Sequence, residues 1–171
     1  MTSAEHKNII LCGMMGCGKT TCSALLGRIL GREVVDTDDL VVKIGGMSIT
    51  EQFARLGENA MRDFETEACR QLKDKSGLVI ACGGGLPLRE ENRLLLRQTG
   101  IVFYLRRDPG ETYDTCDLSD RPLAQAGREA FIARFHDRDG VYTAFSHHII
   151  RNFSSPEETV NEILTVLEAA Q

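Results

Sequence analysis

The sequence predicts an α/β fold with a mainly or wholly parallel β-sheet. Two observations lead to this prediction. Five short apolar runs of the kind that forms buried strands alternate with segments whose apolar residues recur at helical spacing. A glycine-rich loop joins the first apolar run to the first helical segment. The length of 171 residues fits one domain, so we expect residues 1–171 to form a single unit.

The elements follow one another in a regular order. Strands are predicted at residues 8–12, 33–39, 78–82, 101–105 and 147–150. Helices are predicted at residues 21–30, from a capping box at 48–51, and at 58–75, 86–98, 129–145 and from 156 onward.

Residues 13–20 read Gly-Met-Met-Gly-Cys-Gly-Lys-Thr, which fits the phosphate-binding pattern of glycine, four residues, glycine, lysine and serine or threonine. Glycines let the backbone direct several N–H groups into one concavity, and the N-terminus of the next helix adds donors and a positive dipole end. We expect Lys19 to contact the β- and γ-phosphates of a triphosphate and the Thr20 hydroxyl to bind magnesium. A glycine-rich turn without a ligand is the alternative.

Two further features lie where predicted strands end. Asp36, Asp38 and Asp39 form the C-terminal end of the second predicted strand, at the edge where α/β sheets place their chemistry. Phosphoryl transfer needs carboxylates for magnesium and for the proton of an attacking hydroxyl, although a solvated acidic loop is the alternative. Residues 83–85 are three glycines, which indicate a close approach by a ligand or another backbone, and a flexible turn is the alternative.

Arginines recur on two predicted helices. Arg62 and Glu65 would be neighbours on the helix at 58–75, and without other observations they are best interpreted as an exposed ion pair worth a few tenths of a kcal/mol. On the helix at 129–145, Arg134, Arg138 and Tyr142 recur at four-residue intervals on one face.

Residues 108–127 show little sustained periodicity and contain turn signals. Loops of this length in compact domains are usually functional or disordered. We interpret this segment as a mobile lid that excludes water from the phosphoryl group during transfer.

Composition limits the classes of function. The net charge of −5 argues against broad binding to nucleic acid or an anionic membrane, so we expect small-molecule partners. No apolar run approaches transmembrane length and residues 1–7 lack the features of a secretory signal, which favours a cytoplasmic protein. We also expect a monomer. The six cysteines form no metal-binding or disulfide pattern. We hypothesise that Cys17, inside the loop, is a reactive thiol that ATP protects from alkylation.

In their order along the chain, these motifs resemble those of the shikimate kinases, small P-loop kinases of aromatic amino-acid biosynthesis, over essentially the whole sequence. The shared motifs are the loop at 13–20, Asp36-Thr37-Asp38, a Gly-Glu-x-x-x-Arg-x-x-Glu pattern beginning at Gly57, the glycine triplet, and Arg121-Pro122-Leu123. The resemblance implies a three-layer P-loop kinase fold, with a five-stranded parallel sheet in the order 2-3-1-4-5 flanked by helices and a lid. It also implies transfer of the γ-phosphoryl of ATP to the 3-hydroxyl of shikimate.

The resemblance further implies roles for residues on the nucleotide side. Residues expected to bind ATP are Gly13, Gly16, Cys17, Gly18, Lys19, Thr20, Thr21 and Pro156. Thr20 and Asp36 would hold Mg²⁺, Asp36 mostly through water.

On the acceptor side, the resemblance implies that Asp38 binds the acceptor hydroxyls and serves as the base. Arg62, oriented by Glu65, and Arg138 would bind the carboxylate of shikimate. The pocket would be lined by Gly83, Gly84 and Gly85. Arg121 in the lid would contact both phosphate and substrate, which makes the implied catalytic set Lys19, Asp38 and Arg121.

The lid departs from the pattern of the family. Shikimate kinases commonly carry basic residues ahead of the Arg-Pro motif, one of which stacks on the adenine, whereas this chain carries Glu111, Asp114, Asp117 and Asp120 there. Carboxylates that close toward a triphosphate would repel it unless they turn to solvent. The sequence leaves three candidates for a compensating cation, namely Arg106, Arg107 and Arg128.

Two alternative functions remain open at this point. Gluconate kinases also phosphorylate a carboxylated polyol and share a P-loop followed by an acidic strand end, but Val41 stands where their histidine is expected after Asp38-Asp39-Leu40. A regulatory module that binds ATP without transferring a phosphoryl group would not need an acceptor-side carboxylate such as Asp38.

Overall fold

The computed structural model describes residues 7–117, 126–151 and 155–169. Within them, five strands pair in parallel in the order β2-β3-β1-β4-β5. The strands are β1 (Asn8–Cys12), β2 (Val34–Asp36), β3 (Val79–Ala81), β4 (Gly100–Arg106) and β5 (His148–Arg151). The predicted fold class and strand order are therefore confirmed.

Helices cover both faces of the sheet. They are α1 (Lys19–Leu30), α2 (Thr37–Gly45), α3 (Ile49–Leu56), α4 (Glu58–Leu72), α5 (Glu90–Arg97), α6 (Pro109–Thr115), α7 (Arg128–Phe145) and α8 (Pro156–Ala169). A short 3-10 turn (Leu86–Leu88) precedes α5. Of these described helices, none is both long and apolar enough to span a membrane.

The three layers follow from the alternation of side chains along the central strand, because successive residues of a strand point to opposite faces. Ile10 and Cys12 of β1 belong to a core shared with α4, α5 and α7, whereas Ile9 and Leu11 belong to a second core shared with α1 and α8. All five residues of β1 are buried. Burial on both faces explains why this strand is a continuous apolar run.

Two boundaries differ from the prediction. The second strand was expected to run through residue 39, but it ends at Asp36, whose Oδ1 accepts the backbone N–H of Asp38 at 2.8 Å and caps α2. The carboxylate cluster therefore begins a helix, which the sequence analysis missed. Asp108 likewise caps α6, since its Oδ1 accepts the N–H of Glu111 at 2.8 Å. Residues 109–115 are thus helical, although the segment was predicted to be a loop.

The predicted capping boxes begin helices where expected. Ser48 and Glu51 exchange hydrogen bonds at the start of α3, and the Ser155 hydroxyl accepts the N–H of Glu158 at the start of α8. Residues 118–125 lie outside the described residues, so the motion of a lid stays a prediction. All six cysteines are free thiols.

Candidate active site

The loop between β1 and α1 has the backbone that its glycines allow. Gly16 and Gly18 have φ values of 80° and 95°, in the left-handed region that other residues rarely adopt. At Gly13 a Cβ atom would lie 2.8 Å from both Cys17 Sγ and the Leu105 carbonyl oxygen, so a side chain there would collide with the loop and with β4. This tight conformation directly ahead of a helix N-terminus favours an anion-binding loop over an ordinary turn.

The Lys19 side chain folds back onto the backbone of this loop. Its Nζ donates to the carbonyl oxygens of Gly13 at 2.8 Å and Met14 at 2.9 Å, and lies 3.6 Å from Cys17 Sγ. Burial acts to lower the pKa of Lys19, but Cys17 and Tyr142 outweigh it and the pKa is raised above its ordinary value. The amine therefore stays a cation beside the phosphate-binding loop.

Cys17 does not face the ligand side of the loop. Its side chain is 2% exposed and packs in the core with Cys22 and Leu26 of α1. This burial argues against the hypothesis of a reactive thiol that ATP protects.

One cavity of about 390 Å³ joins predicted nucleotide-binding residues to three of the predicted acceptor residues, Asp38, Gly83 and Gly84. It lies over the carboxyl ends of the strands, where ligands bind in open α/β sheets. Its lining includes Gly16, Gly18, Lys19, Thr20, Thr21, Asp36, Asp38, Gly83, Gly84, Arg107, Cys116, Ser155 and Pro156. Gly85, Arg62 and Arg138 do not line this cavity but adjoin it through the glycine triplet.

Asp38 reaches the cavity because the start of α2 is hydrogen-bonded to the loop after β3. Thr37 is buried, and its Oγ1 accepts the backbone N–H of Gly83 at 2.8 Å. Together with the cap that Asp36 provides, this bond orients the first turn of α2. The carboxylate of Asp38 consequently lies against Gly83.

Each glycine of the triplet adjoins one predicted acceptor residue. A Cβ atom at Gly83 would collide with the carboxylate of Asp38, whose Cγ would lie 3.0 Å away. A Cβ atom at Gly85 would collide with the guanidinium of Arg62, with Cζ at 2.8 Å. At Gly84 it would lie 3.8 Å from Arg138 Nη1. Gly83 and Gly85 therefore make room for side chains rather than for a backbone, whereas a Cβ atom at Gly84 would make only ordinary contacts. This packing favours a structural role for the triplet over a flexible turn.

Arg62 and Glu65 form a buried pair. Arg62 Nη1 donates to Glu65 Oε1 at 2.8 Å and Oε2 at 2.9 Å, and the two side chains are only 12% and 7% exposed. Burial raises the pKa of Glu65 above its ordinary value, although Arg62 acts in the opposite direction. The interpretation as an exposed surface pair is therefore wrong.

Tyr142 fastens α7 to the glycine triplet. Its hydroxyl donates to the carbonyl oxygen of Gly84 at 2.7 Å, and the ring is fully buried. Because Arg138 lies one turn earlier on the same helix, this bond places its guanidinium near the triplet. Sequence reasoning noted the four-residue spacing of Arg138 and Tyr142 but assigned no role to the tyrosine.

A polar network that sequence reasoning missed holds α7 against β4. Asp139 accepts hydrogen bonds from Arg106 Nε at 2.8 Å, from Arg106 Nη2 at 3.0 Å and from the Tyr104 hydroxyl at 2.7 Å. Hydrogen bonding to Arg106 lowers the pKa of Asp139 below its ordinary value. No sequence motif indicates this contact, since the partners are more than thirty residues apart.

The described carboxylates of the acidic lid segment do not all face the phosphate-binding loop. Asp114 accepts two hydrogen bonds from Arg128, at 2.9 and 3.0 Å, on an exposed surface. The side chain of Glu111 is 63% exposed. Arg121 and Asp120 lie outside the described residues, so the predicted contacts of Arg121 stay a prediction.

Comparisons with known proteins bear on this pocket. The shikimate kinase family model matches residues 15–168. A shikimate kinase from Geobacter sulfurreducens is 37% identical, with 98% of this chain and 94% of the relative covered. The structure of a shikimate kinase from Acinetobacter baumannii in complex with shikimate has a TM-score of 0.89 and 31% identity, and the match covers 96% of this chain and 94% of that one.

A solved gluconokinase from Sinorhizobium meliloti is also similar, with a TM-score of 0.64 and 14% identity over 96% of this chain and 93% of that one. At this identity the likeness shows a shared fold alone.

Proposed function

The chain belongs to the shikimate kinase family and phosphorylates shikimate with ATP, and we propose which of its residues perform this reaction. The observation that supports the proposal is the arrangement around residues 83–85. Asp38, Arg138 and Arg62 adjoin three successive glycines, next to the loop that holds Lys19. This arrangement offers a carboxylate for a hydroxyl group and two guanidinium groups for a carboxylate, which matches the chemistry of shikimate.

On the nucleotide side, we assign the phosphates of ATP to the backbone N–H groups of residues 13–20 and to Lys19. The amine now bonded to the Gly13 and Met14 carbonyls would turn toward the β- and γ-phosphates, where it stabilises the charge that develops during transfer. Thr21 would add a contact from the first turn of α1, and Pro156 would border the nucleoside from α8.

The residues also fit a magnesium ion. Thr20 and Asp36 line the same cavity and supply oxygen atoms, which Mg²⁺ prefers. Among the described residues no three His, Cys, Asp or Glu side chains form a metal cage, which suits an ion that takes the rest of its ligands from water and phosphate. When bound, Mg²⁺ would neutralise charge on the β- and γ-phosphates.

On the acceptor side, Arg62 and Arg138 would bind the carboxylate of shikimate. Arginine suits this role because its planar fork can donate two parallel hydrogen bonds to one carboxylate. Glu65 is a positioning residue, since its carboxylate accepts two hydrogen bonds from Arg62 and so orients the guanidinium. These interactions would place the 3-hydroxyl beside Asp38, which would accept its proton as the oxygen attacks the γ-phosphorus. Arg121 would complete the site from the lid.

The test is a coupled assay of ADP release with magnesium, run side by side with shikimate and with gluconate. We expect turnover with shikimate and product analysis that gives shikimate 3-phosphate. Turnover with gluconate alone would favour the rival kinase. ATP binding without turnover on either acid would favour a regulatory module.

The described residues of this proposed site lie close together within one chain, and we propose a monomer as the active form. Six free thiols suit a reducing, cytoplasmic environment. The elution volume of the active enzyme in size-exclusion chromatography would test the first of these proposals.

A further inference from the structure

We propose that Arg107 binds the base of the nucleotide and so replaces the basic lid residue that the acidic segment lacks. The proposal rests on the use of ATP set out above. It assigns a binding role to a residue that directly follows β4 and precedes α6, and that belongs to none of the sequence motifs.

Arg107 lines the cavity and is linked through Cys116 to Gly16 of the phosphate-binding loop. It shares this lining with Cys116, Ser155 and Pro156, and its side chain is only 23% exposed. A triphosphate bound at residues 13–20 would extend its nucleoside into this part of the pocket. Arg107 is therefore placed to meet the base rather than the acceptor.

The side chain of Arg107 is held by neutral groups at the end of α6. Its Nη1 donates to Cys116 Sγ at 3.3 Å, and its Nη2 donates to Thr115 Oγ1 at 3.2 Å. The Cys116 thiol in turn donates to the carbonyl oxygen of Gly16 at 3.4 Å. Cys116 thus ties the arginine to the phosphate-binding loop and fixes its orientation.

These contacts engage both outer nitrogens of the guanidinium. Arg107 also forms a long ion pair, with Glu111 Oε1 3.7 Å from Nη2, but this carboxylate is beyond hydrogen-bond distance and its side chain is 63% exposed. The buried Nε has no acceptor among the described residues. A guanidinium whose outer nitrogens already bond to neutral atoms is suited to stack on a planar ring, and a purine base presents such a ring.

The two other candidate cations are already engaged elsewhere. Arg106 forms two hydrogen bonds to Asp139 and lies over the ring of Phe135, 5.6 Å from its centre. Arg128 forms two hydrogen bonds to Asp114. Neither arginine lines the cavity. Of the three arginines that the sequence left open, Arg107 is the one that the geometry selects.

The experiment compares the dissociation constants of ADP and inorganic tripolyphosphate by titration calorimetry. Arg107→Met should weaken ADP about tenfold, as expected for loss of a stacked cation, and leave tripolyphosphate unchanged. Arg107→Lys keeps the charge but loses the planar group, so it should resemble Arg107→Met. Arg128→Met removes the same charge from a surface pair and serves as the matched control, with both constants as in the unaltered protein.

Several outcomes would overturn the proposal. An unchanged dissociation constant for ADP in a folded Arg107→Met variant would remove the contact, and Arg107→Lys provides a second variant should the first fail to fold. Equal weakening of ADP and tripolyphosphate would assign Arg107 to the phosphates instead of the base. If the unaltered protein binds ADP but does not phosphorylate shikimate, the proposed function fails, while the two ligands still test Arg107.

Discussion

A single guanidinium nitrogen of Arg62 donates to both carboxylate oxygens of Glu65, at 2.8 and 2.9 Å. The two residues are three apart on α4, and the guanidinium fills the space that Gly85 leaves without a side chain. Because both side chains are nearly buried, the pair keeps its geometry without the disorder of a surface ion pair. This arrangement presents a fixed cation to the acceptor.

Glu65→Gln should raise KM for shikimate about tenfold, because the loss of a charge-assisted bond leaves Arg62 less firmly oriented. KM for ATP should stay unchanged. Glu67→Gln is the matched control, since Glu67 lies on the same helix with its side chain 44% exposed. Steady-state kinetics with each substrate varied in turn would measure this. Equal changes in both KM values would contradict a positioning role.

The raised pKa of Glu65 predicts a pH dependence. As pH falls, this carboxylate takes up a proton before an ordinary glutamate would. Arg62 then keeps only Glu58, an exposed carboxylate 3.2 Å from its Nη2, as a charged partner, so its orientation loosens and KM for shikimate rises. Stability changes in the opposite sense: the folded state binds this proton more tightly than the unfolded chain, so the contribution of Glu65 to the free energy of unfolding decreases as pH rises through the raised pKa. Glu65→Gln should remove both effects. If KM for shikimate and stability depended on pH in the same way in Glu65→Gln and in the unaltered protein, the assignment of these effects to Glu65 would be contradicted.

Gly85→Ala should raise KM for shikimate about tenfold or more, because the added Cβ displaces the Arg62 guanidinium. Gly140→Ala is its counterpart in α7, where a Cβ would meet nothing within 4 Å. That change should leave KM unaltered and raise the free energy of unfolding by about 0.5–1 kcal/mol. Kinetics and chemical denaturation of both variants would check this. An unchanged KM for shikimate in Gly85→Ala would show that the Arg62 guanidinium can move without weakening shikimate binding.

Arg138→Lys should raise KM for shikimate far more than KM for ATP, since an ammonium group cannot donate two parallel hydrogen bonds to a carboxylate. Initial rates with each substrate varied in turn would separate the two constants. Comparable effects on both would argue that Arg138 does not bind the acceptor.

Local patterns were sufficient to predict most of the fold. The loop at 13–20, the apolar strands and the capping box at Ser48 each involve residues close in sequence, and each lies where it was predicted. The start of α2 was missed because an aspartate after a β-branched run is compatible with both a strand end and a helix cap. The helix α6 was missed because Asp108-Pro109-Gly110 is typical of a turn. Aspartate is also a common N-cap residue and proline is common at the first position of a helix.

The parts of the site that could not be predicted depend on contacts between distant segments. The burial of Arg62 and Glu65 is set by how the triplet packs on α4. Tyr142 and Gly84 are 58 residues apart, and Arg106 and Asp139 are 33 apart. The choice of Arg107 over its two rivals likewise depends on which arginines the fold already pairs, and the sequence alone does not specify this.

The central claim is that Asp38 is the carboxylate that accepts the proton of the attacking hydroxyl. The most direct measurement is the single-turnover rate of phosphoryl transfer in Asp38→Asn, with Asp39→Asn as the exposed neighbouring control. We predict a fall of about 10²–10⁴ in the rate for Asp38→Asn, with ATP still bound normally, and little change for Asp39→Asn. A near-normal rate in Asp38→Asn, at saturating shikimate and ATP, would contradict the account.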